Sequence, residues 1–348
     1  MKFLSILFRL KSFLLCVLVL LSFQFIIRHP DIIESYYSNL VYKNISYYII
    51  LFFNEFQFSF GDFLYIFIPI VFFFKLKNTN TRRKNLKICF QFLFGIYVIF
   101  NIQWGLNYHR ISLKDKLTIS RNYSLNQLKN TTLYFINKTN DIHRKISDND
   151  SISVKFENYL FLESLQSIKN SSYNKNQKLN PTIKKSLFSL PLSYMGFSGY
   201  INPFTLEAHI NTNIAKLNIP TTICHEIAHQ LGYSAENEAN YISIEATLNS
   251  KNEYVNYSGS TFALKYLLNE MYLNDKKTYN ELINKINIGV LKNYKEVSEN
   301  WKRYKNPLEK YFKKSYDIYL KANNQTKGIK TYNLVVDLLV NKYVNSEF

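Results

Sequence analysis

Three apolar runs near the front constrain this chain most, because a segment inside a bilayer has no water to satisfy its backbone and must be helical. They cover about residues 12–28, 61–76 and 88–104. Hydrophobic residues make up 47% of the chain, yet the mean hydropathy is −0.17, so the apolar residues are concentrated rather than spread. The first run follows Lys2, Arg9 and Lys11, is long for a signal sequence and has no small-residue cleavage site after it, which favours an anchor. Asp62, Pro69 and Gln91 interrupt the other two runs, and a span tolerates such residues where they face neighbouring helices. Residues 45–53 are too short to cross and predict an interfacial or packed helix. Loop 75–87 holds six basic residues (Lys75, Lys77, Arg82, Arg83, Lys84 and Lys87), against Arg28 and Lys43 alone in residues 28–62. The N-terminus and this loop are therefore expected in the cytoplasm. Three crossings then give a transmembrane region over residues 1–105 and an extracytoplasmic domain over residues 106–348.

Residues 222–240 read T-I-C-H-E-I-A-H-Q-L-G-Y-S-A-E-N-E-A-N. On a helix His225 and His229 stand at i and i+4, so both imidazoles leave one face and can share one ion. Glu226 is turned off that face, where a carboxylate can hold a metal-bound water without ligating the metal. Pro220 with Thr221 or Thr222 marks a helix start, Ile223, Ile227 and Leu231 supply an apolar stripe, and Gly232 is a natural stop. Ser234 reads as the N-cap of a second helix folded back on the first, with Glu236, Glu238 and Asn240 in its first turns. A catalytic zinc site needs three protein ligands and an open fourth position. Glu236 is the expected third ligand and Glu238 the alternative. Asn240, one turn beyond Glu236, is placed to hydrogen-bond a ligating histidine from behind. The competing account is that both glutamates simply favour the positive end of a helix.

This array resembles the gluzincin branch of the zincin metallopeptidases, in which the His-Glu-x-x-His helix is followed by a Glu with a polar residue four positions on. The chain also resembles a bacterial inner-membrane family catalogued as domain of unknown function 3810. The likeness lies in H-P-D-I-I-E-S-Y-Y-S from His29, F-S-F-G-D-F-L-Y from Phe58, W-G-L-N-Y-H-R from Trp104 and G-Y-I-N-P-F-T-L-E-A-H-I-N from Gly199. The segment around His225 and Y-D-I-Y-L-K-A-N from Tyr316 complete it. The resemblance implies a membrane-tethered zincin-like domain and leaves the reaction open. Asn240 departs from the Asp that many gluzincins carry, which puts the charge behind the histidine in question.

The expected fold class is α+β: a bundle of three transmembrane helices, then a mostly helical zincin-like domain with a small sheet. Residues 190–213, punctuated by Gly196, Gly199 and Pro203, suggest the strands. Within them, residues 207–211 are the expected exposed edge, to which a substrate backbone could add as an extra strand. His209 on that strand, and Tyr257 or Tyr254 further on, are candidate donors to a transition-state oxygen, although ordinary packing is the commoner role for each. Cys16, Cys89 and Cys224 suggest no disulfide framework, and Cys224 points about 100° away from His225, as a small buried residue would. The net charge of +18 is scattered among Asn and Glu without a nucleic-acid motif, so no nucleic-acid partner is expected. The whole reads as a multi-pass zinc metallopeptidase of the bacterial inner membrane, with its catalytic domain on the periplasmic side. Zn²⁺ would be its cofactor, Glu226 its general base, and peptide or protein and the lipid bilayer its partners. The alternative is a non-catalytic zinc-binding scaffold or sensor with a degenerate peptidase domain.

Overall fold

The computed structural model describes residues 2–79, 81–119, 123–156, 160–175 and 179–343, without the side chains of residues 2–10, 12 and 175. Helix α1 (Lys2–Ile26) leads to α2, which runs Pro30–Asn54 through a π-helical stretch at Ile33–Tyr42. Segments Phe13–Ile26 and Pro30–Asn54 meet at 94°. Helices α3 (Phe60–Lys77) and α4 (Arg82–Gln103) form a hairpin, with Phe72 stacked on Phe92 at 4.2 Å and the basic turn at its far end.

Only α4 is long and apolar enough by itself to cross a bilayer among the described residues, and the bent pair adds a second candidate if it counts as one span. The expected three-helix transmembrane bundle is thus not clear-cut. In α3 the charges of Asp62, Lys75 and Lys77 leave an apolar stretch of roughly 18 Å at 1.5 Å per residue, short of the ~30 Å hydrocarbon core. Asp62 is not in lipid at all: it is fully buried and accepts from the Leu187 N–H at 2.7 Å.

The remainder is mostly helical around a three-stranded sheet. After α5 (Leu125–Ile146) and α6 (Phe161–Asn170) come β1 (Ile183–Lys185), β2 (Gly199–Ile201) and β3 (Ala208–Ile210). The strand order is β1-β3-β2, with β1 parallel and β2 antiparallel to β3. The segment expected as a free edge is therefore the central strand, paired on both sides, and β2 is an edge instead. Side chains alternate across a strand, so the registers Lys184↔His209 and Tyr200↔His209 put these three on one face, leaving Ala208 and Ile210 to the other. That second face packs on α7 (Ile219–Gln230), which is followed by α8 (Glu236–Leu248), α9 (Glu253–Asn274), α10 (Ile288–Lys302), α11 (Glu309–Ala322) and α12 (Val335–Tyr343).

One buried apolar cluster runs from Ile33, Tyr42 and Trp104 through Ile223 and Ile227 to Tyr257 and Leu267. Packing thus continues across residue 105, where the last apolar helix ends. Lys184 reinforces the join by donating to the Phe53 and Phe58 carbonyls at 2.7 and 3.0 Å and to Glu207 at 2.6 Å. Tyr42 donates to the Gln230 carbonyl at 2.9 Å, and its ring lies against Gly232 at the end of α7. Gly232 has φ +89, and a Cβ there would meet Tyr42 Cε1 at 2.9 Å. Gly232→Ala is expected to destabilise the fold by about 1–3 kcal/mol, read as a lowered midpoint in denaturant unfolding of detergent-solubilised protein. An unchanged midpoint would show that the turn accepts a side chain.

Candidate metal centre

Helix α7 begins with Pro220 in its first turn, where a missing N–H costs nothing, and its apolar stripe, Ile223 and Ile227, is fully buried. It ends where Gly232 takes up the left-handed conformation: the Gly232 N–H donates to the His229 carbonyl at 2.8 Å and the Tyr233 N–H to that of Ala228 at 3.1 Å. This pair of bonds is a Schellman turn. It carries the Tyr233 carbonyl back over the helix end, where it accepts from His229 Nδ1 at 2.7 Å. Helix α8 then starts one residue later than the expected Ser234 cap. Ala235 holds the cap position, and the Glu236 N–H is served by the distant Gln325 Oε1 at 3.1 Å.

The two helices bring His225, His229 and Glu236 together, with one potential ligand atom from each lying within 4.8 Å of the others. Glu236 Oε2 is 3.2 Å from His225 Nε2 and 3.5 Å from His229 Nε2. Ligand atoms of a tetrahedral zinc stand about 3.3 Å apart. His225 Nδ1 bonds Asn240 Oδ1 at 2.9 Å, and Asn240 Nδ2 donates to the Tyr266 hydroxyl at 3.1 Å. Both rings are held from behind at Nδ1 and direct Nε2 at Glu236 Oε2, where a neutral imidazole offers a lone pair and an imidazolium an N–H. Glu236 Oε2 is buried with no hydrogen-bond partner, whereas Oε1 accepts from the Tyr316 hydroxyl at 2.6 Å. A buried carboxylate oxygen between two imidazole nitrogens needs a positive charge beside it, which a protonated histidine or a bound cation supplies. The residues fit a zinc ion. Asn240 meets the need at its position, since His225 requires only an acceptor there.

Burial pushes the Glu226 carboxyl up to about 8, with His229 opposing and Glu236 adding to the shift. Burial also works against ionising Glu236, but the two imidazoles outweigh it and hold that carboxyl well below the usual range. His229 shows the reciprocal effect: burial lowers its pKa, and the Glu236 charge more than compensates, to about 9. His225 is shifted down, chiefly by burial. Glu226 is not in the ligand cluster. Its Oε2 has no partner, and a Cβ at Gly199 on the edge strand β2 would lie 2.7 Å from its Oε1. Gly199 thus leaves room for the carboxylate beside that edge.

Glu238, the alternative ligand, points elsewhere and accepts from the Leu113 N–H at 2.6 Å. His209 lies on the sheet face turned away from α7. Its ring stacks on Tyr200 at 4.5 Å, and Nε2 bonds Ser59 Oγ at 2.6 Å. Tyr257 is fully buried and donates to Asn293 Oδ1 at 2.9 Å, and Tyr254 packs on Phe156, so neither candidate donor reaches the cluster. Cys224 is a buried thiol, as expected. The phenols at the cluster are instead Tyr316 of α11 and Tyr332, whose ring stacks on His225 at 6.3 Å and whose hydroxyl is 3.5 Å from that of Tyr316. Both lie about a hundred residues downstream among 28 tyrosines, with no local pattern to single them out. Trp104, directly after α4, closes the other side, its ring 6.1 Å from His229 and its Nε1–H 3.5 Å from the His229 carbonyl.

The family described as Protein of unknown function (DUF3810) matches residues 37–340, from within α2 through the hairpin and the cluster to within α12. The chain belongs to this family. No curated protein and no solved structure matches it. The family match thus covers the apolar hairpin and the His-His-Glu cluster as one unit.

For the metal, purified protein is expected to hold stoichiometric zinc. His225→Ala, His229→Ala or Glu236→Gln should reduce it to background, whereas Glu226→Gln and Glu238→Gln retain it, as read by elemental analysis. Asn240→Ala should weaken zinc about 10–100-fold in chelator competition. Full zinc retention in Glu236→Gln would remove it as a ligand.

Proposed function

We propose that this chain is a membrane-anchored zinc-dependent metallopeptidase that hydrolyses peptide bonds of envelope peptides or proteins. One observation carries the reading: a buried three-ligand cluster with a fourth carboxylate, Glu226, beside it and one oxygen of that carboxylate without a partner. A purely structural zinc site has no use for such a group.

His225, His229 and Glu236 would hold the zinc ion, which would supply Lewis acidity for a water and a scissile carbonyl. Glu226 takes the proton of the attacking water and returns it to the amine as the C–N bond breaks. Tyr332 replaces His209 and Tyr257 as the source of a hydrogen bond to the developing oxyanion, while the Tyr316 hydroxyl is engaged with Glu236. Edge strand β2, next to Glu226, takes the role assigned to residues 207–211 in aligning a substrate backbone.

The localisation belongs to the same proposal. Both roots of the α3–α4 hairpin are built into the globular part, so a hairpin that crosses the bilayer, with Lys75 and Lys77 snorkelling to the far headgroups to offset the short apolar stretch of α3, puts that part on one side and the basic turn on the other. The basic turn assigns its own side to the cytoplasm, which leaves the cluster on the periplasmic face of the inner membrane, with α1 as the remaining crossing.

Comparison of envelope peptides from cells carrying wild type or Glu226→Gln tests the reading. New N-termini present in the wild type should vanish in the variant, whose zinc content is unchanged. On any substrate so found, Glu226→Gln should lose about 10²–10⁴ in turnover, and Tyr332→Phe about 10²–10³ in kcat. Identical peptidomes with zinc bound would favour a zinc-containing scaffold.

A further inference from the structure

Helix α11 is two-faced. Its inner side carries Tyr316 to Glu236 and buries Leu320, while Leu308 at its start and Tyr311 and Ile318 along it are each 59% exposed on the outer side. Residues 311 and 318 are seven apart, so they share one stripe, with Lys314 between them. Lys313 and Lys321 are paired with Glu309 and Asp317, but Lys310 and Lys314 have no carboxylate partner among the described residues. Next to the helix, Asn306 Nδ2 donates to the Tyr194 carbonyl at 2.7 Å, and Leu187, Leu190 and Tyr194 add further exposed apolar surface.

This surface sits at the root of the hairpin. Tyr319 of α11 meets Phe100, in the last turn of α4, at 6.4 Å between ring centroids. On α3, Asp62 holds the Leu187 N–H, and Tyr65 packs on Tyr200 at 6.3 Å. A bilayer crossed by the hairpin therefore begins within a turn or two of the contacts that hold α11.

We infer that α11 lies in the surface layer of the bilayer that its own hairpin enters. Leu308, Tyr311 and Ile318 dip to the acyl boundary, and Lys310 and Lys314 meet anionic headgroups. Three features argue for lipid over a protein partner: continuity with the hairpin, an apolar stripe flanked by unpaired lysines, and an aromatic residue at the boundary. The inference rests on the membrane reading above. Its consequence is that the helix supplying Tyr316 to the metal centre is a lipid-contacting element.

Spin labels on the full-length chain in lipid nanodiscs test this, with Cys16 and Cys89 replaced by Ser and the fully buried Cys224 left in place. Labels go on Ile318→Cys, on Leu93→Cys of α4 and on Leu273→Cys of α9, and accessibility to oxygen is compared with that to a water-soluble nickel chelate. The Leu93 label should be oxygen-accessible and chelate-protected, the Leu273 label the reverse, and the Ile318 label intermediate, at headgroup depth. In discs containing phosphatidylglycerol, Lys310→Glu with Lys314→Glu should shift Ile318 toward the aqueous value. An Ile318 label as chelate-accessible as Leu273, while Leu93 remains protected, overturns the inference and spares the membrane reading. An exposed Leu93 label overturns both. Unchanged depth in the lysine variants overturns the headgroup contact.

Discussion

The Oε2 atom of Glu236, buried between two imidazole nitrogens, is the constraint around which the rest of this structure is arranged. With neither a protonated ring nor a cation beside it, such an oxygen would cost on the order of 1–3 kcal/mol, more when it is charged. The surrounding bonds hold it there all the same. Tyr316 occupies the other oxygen, Asn240 and the Tyr233 carbonyl fix both rings from behind, and Gln325 holds the start of α8. Each of these partners turns a lone pair toward one point or prevents it from turning away. On the proposed reading, that is the preorganisation a cation site needs.

The cluster is not a module set beside a membrane anchor. Trp104, one residue beyond the apolar helix α4, touches His229, and the ring of Tyr42 seals the Schellman turn that orients the same histidine. Beneath the sheet, Ser59, Lys184, Glu207 and His209 form a buried polar knot at the root of α3. This gives His209 a clear structural role: it ties the sheet to the apolar hairpin. The Asp62 that would weaken a transmembrane segment is likewise part of that root, held by a backbone N–H of the globular part.

The metal helix and its neighbour were legible in the sequence. Periodicity places His225 and His229 on one face, Gly232 stops the helix, and Glu236 with Asn240 one turn on repeats the geometry on the helix that folds back. Those are local relations, set by 3.6 residues per turn and by one left-handed glycine. Strands β2 and β3 fall in the stretch that Gly and Pro punctuation marked, but β1 (Ile183–Lys185) lies before it, and the strand order was not foreseeable. A three-residue strand carries no signal of whether it will have one neighbour or two, so residues 207–211 read as an edge and became the centre.

By itself, then, the sequence determined the helical His-Glu-x-x-His array, the glutamates after it and the apolar runs, because each depends on residues within about twenty positions of one another. Only the tertiary structure brought Glu236 rather than Glu238 to the two histidines, sent His209 and Tyr257 away from the cluster, and brought Tyr316, Tyr332 and Trp104 to it. Such choices turn on which elements pack across long loops. Burial and hydrogen bonding select among chemically equivalent side chains there, and no spacing along the chain encodes that selection.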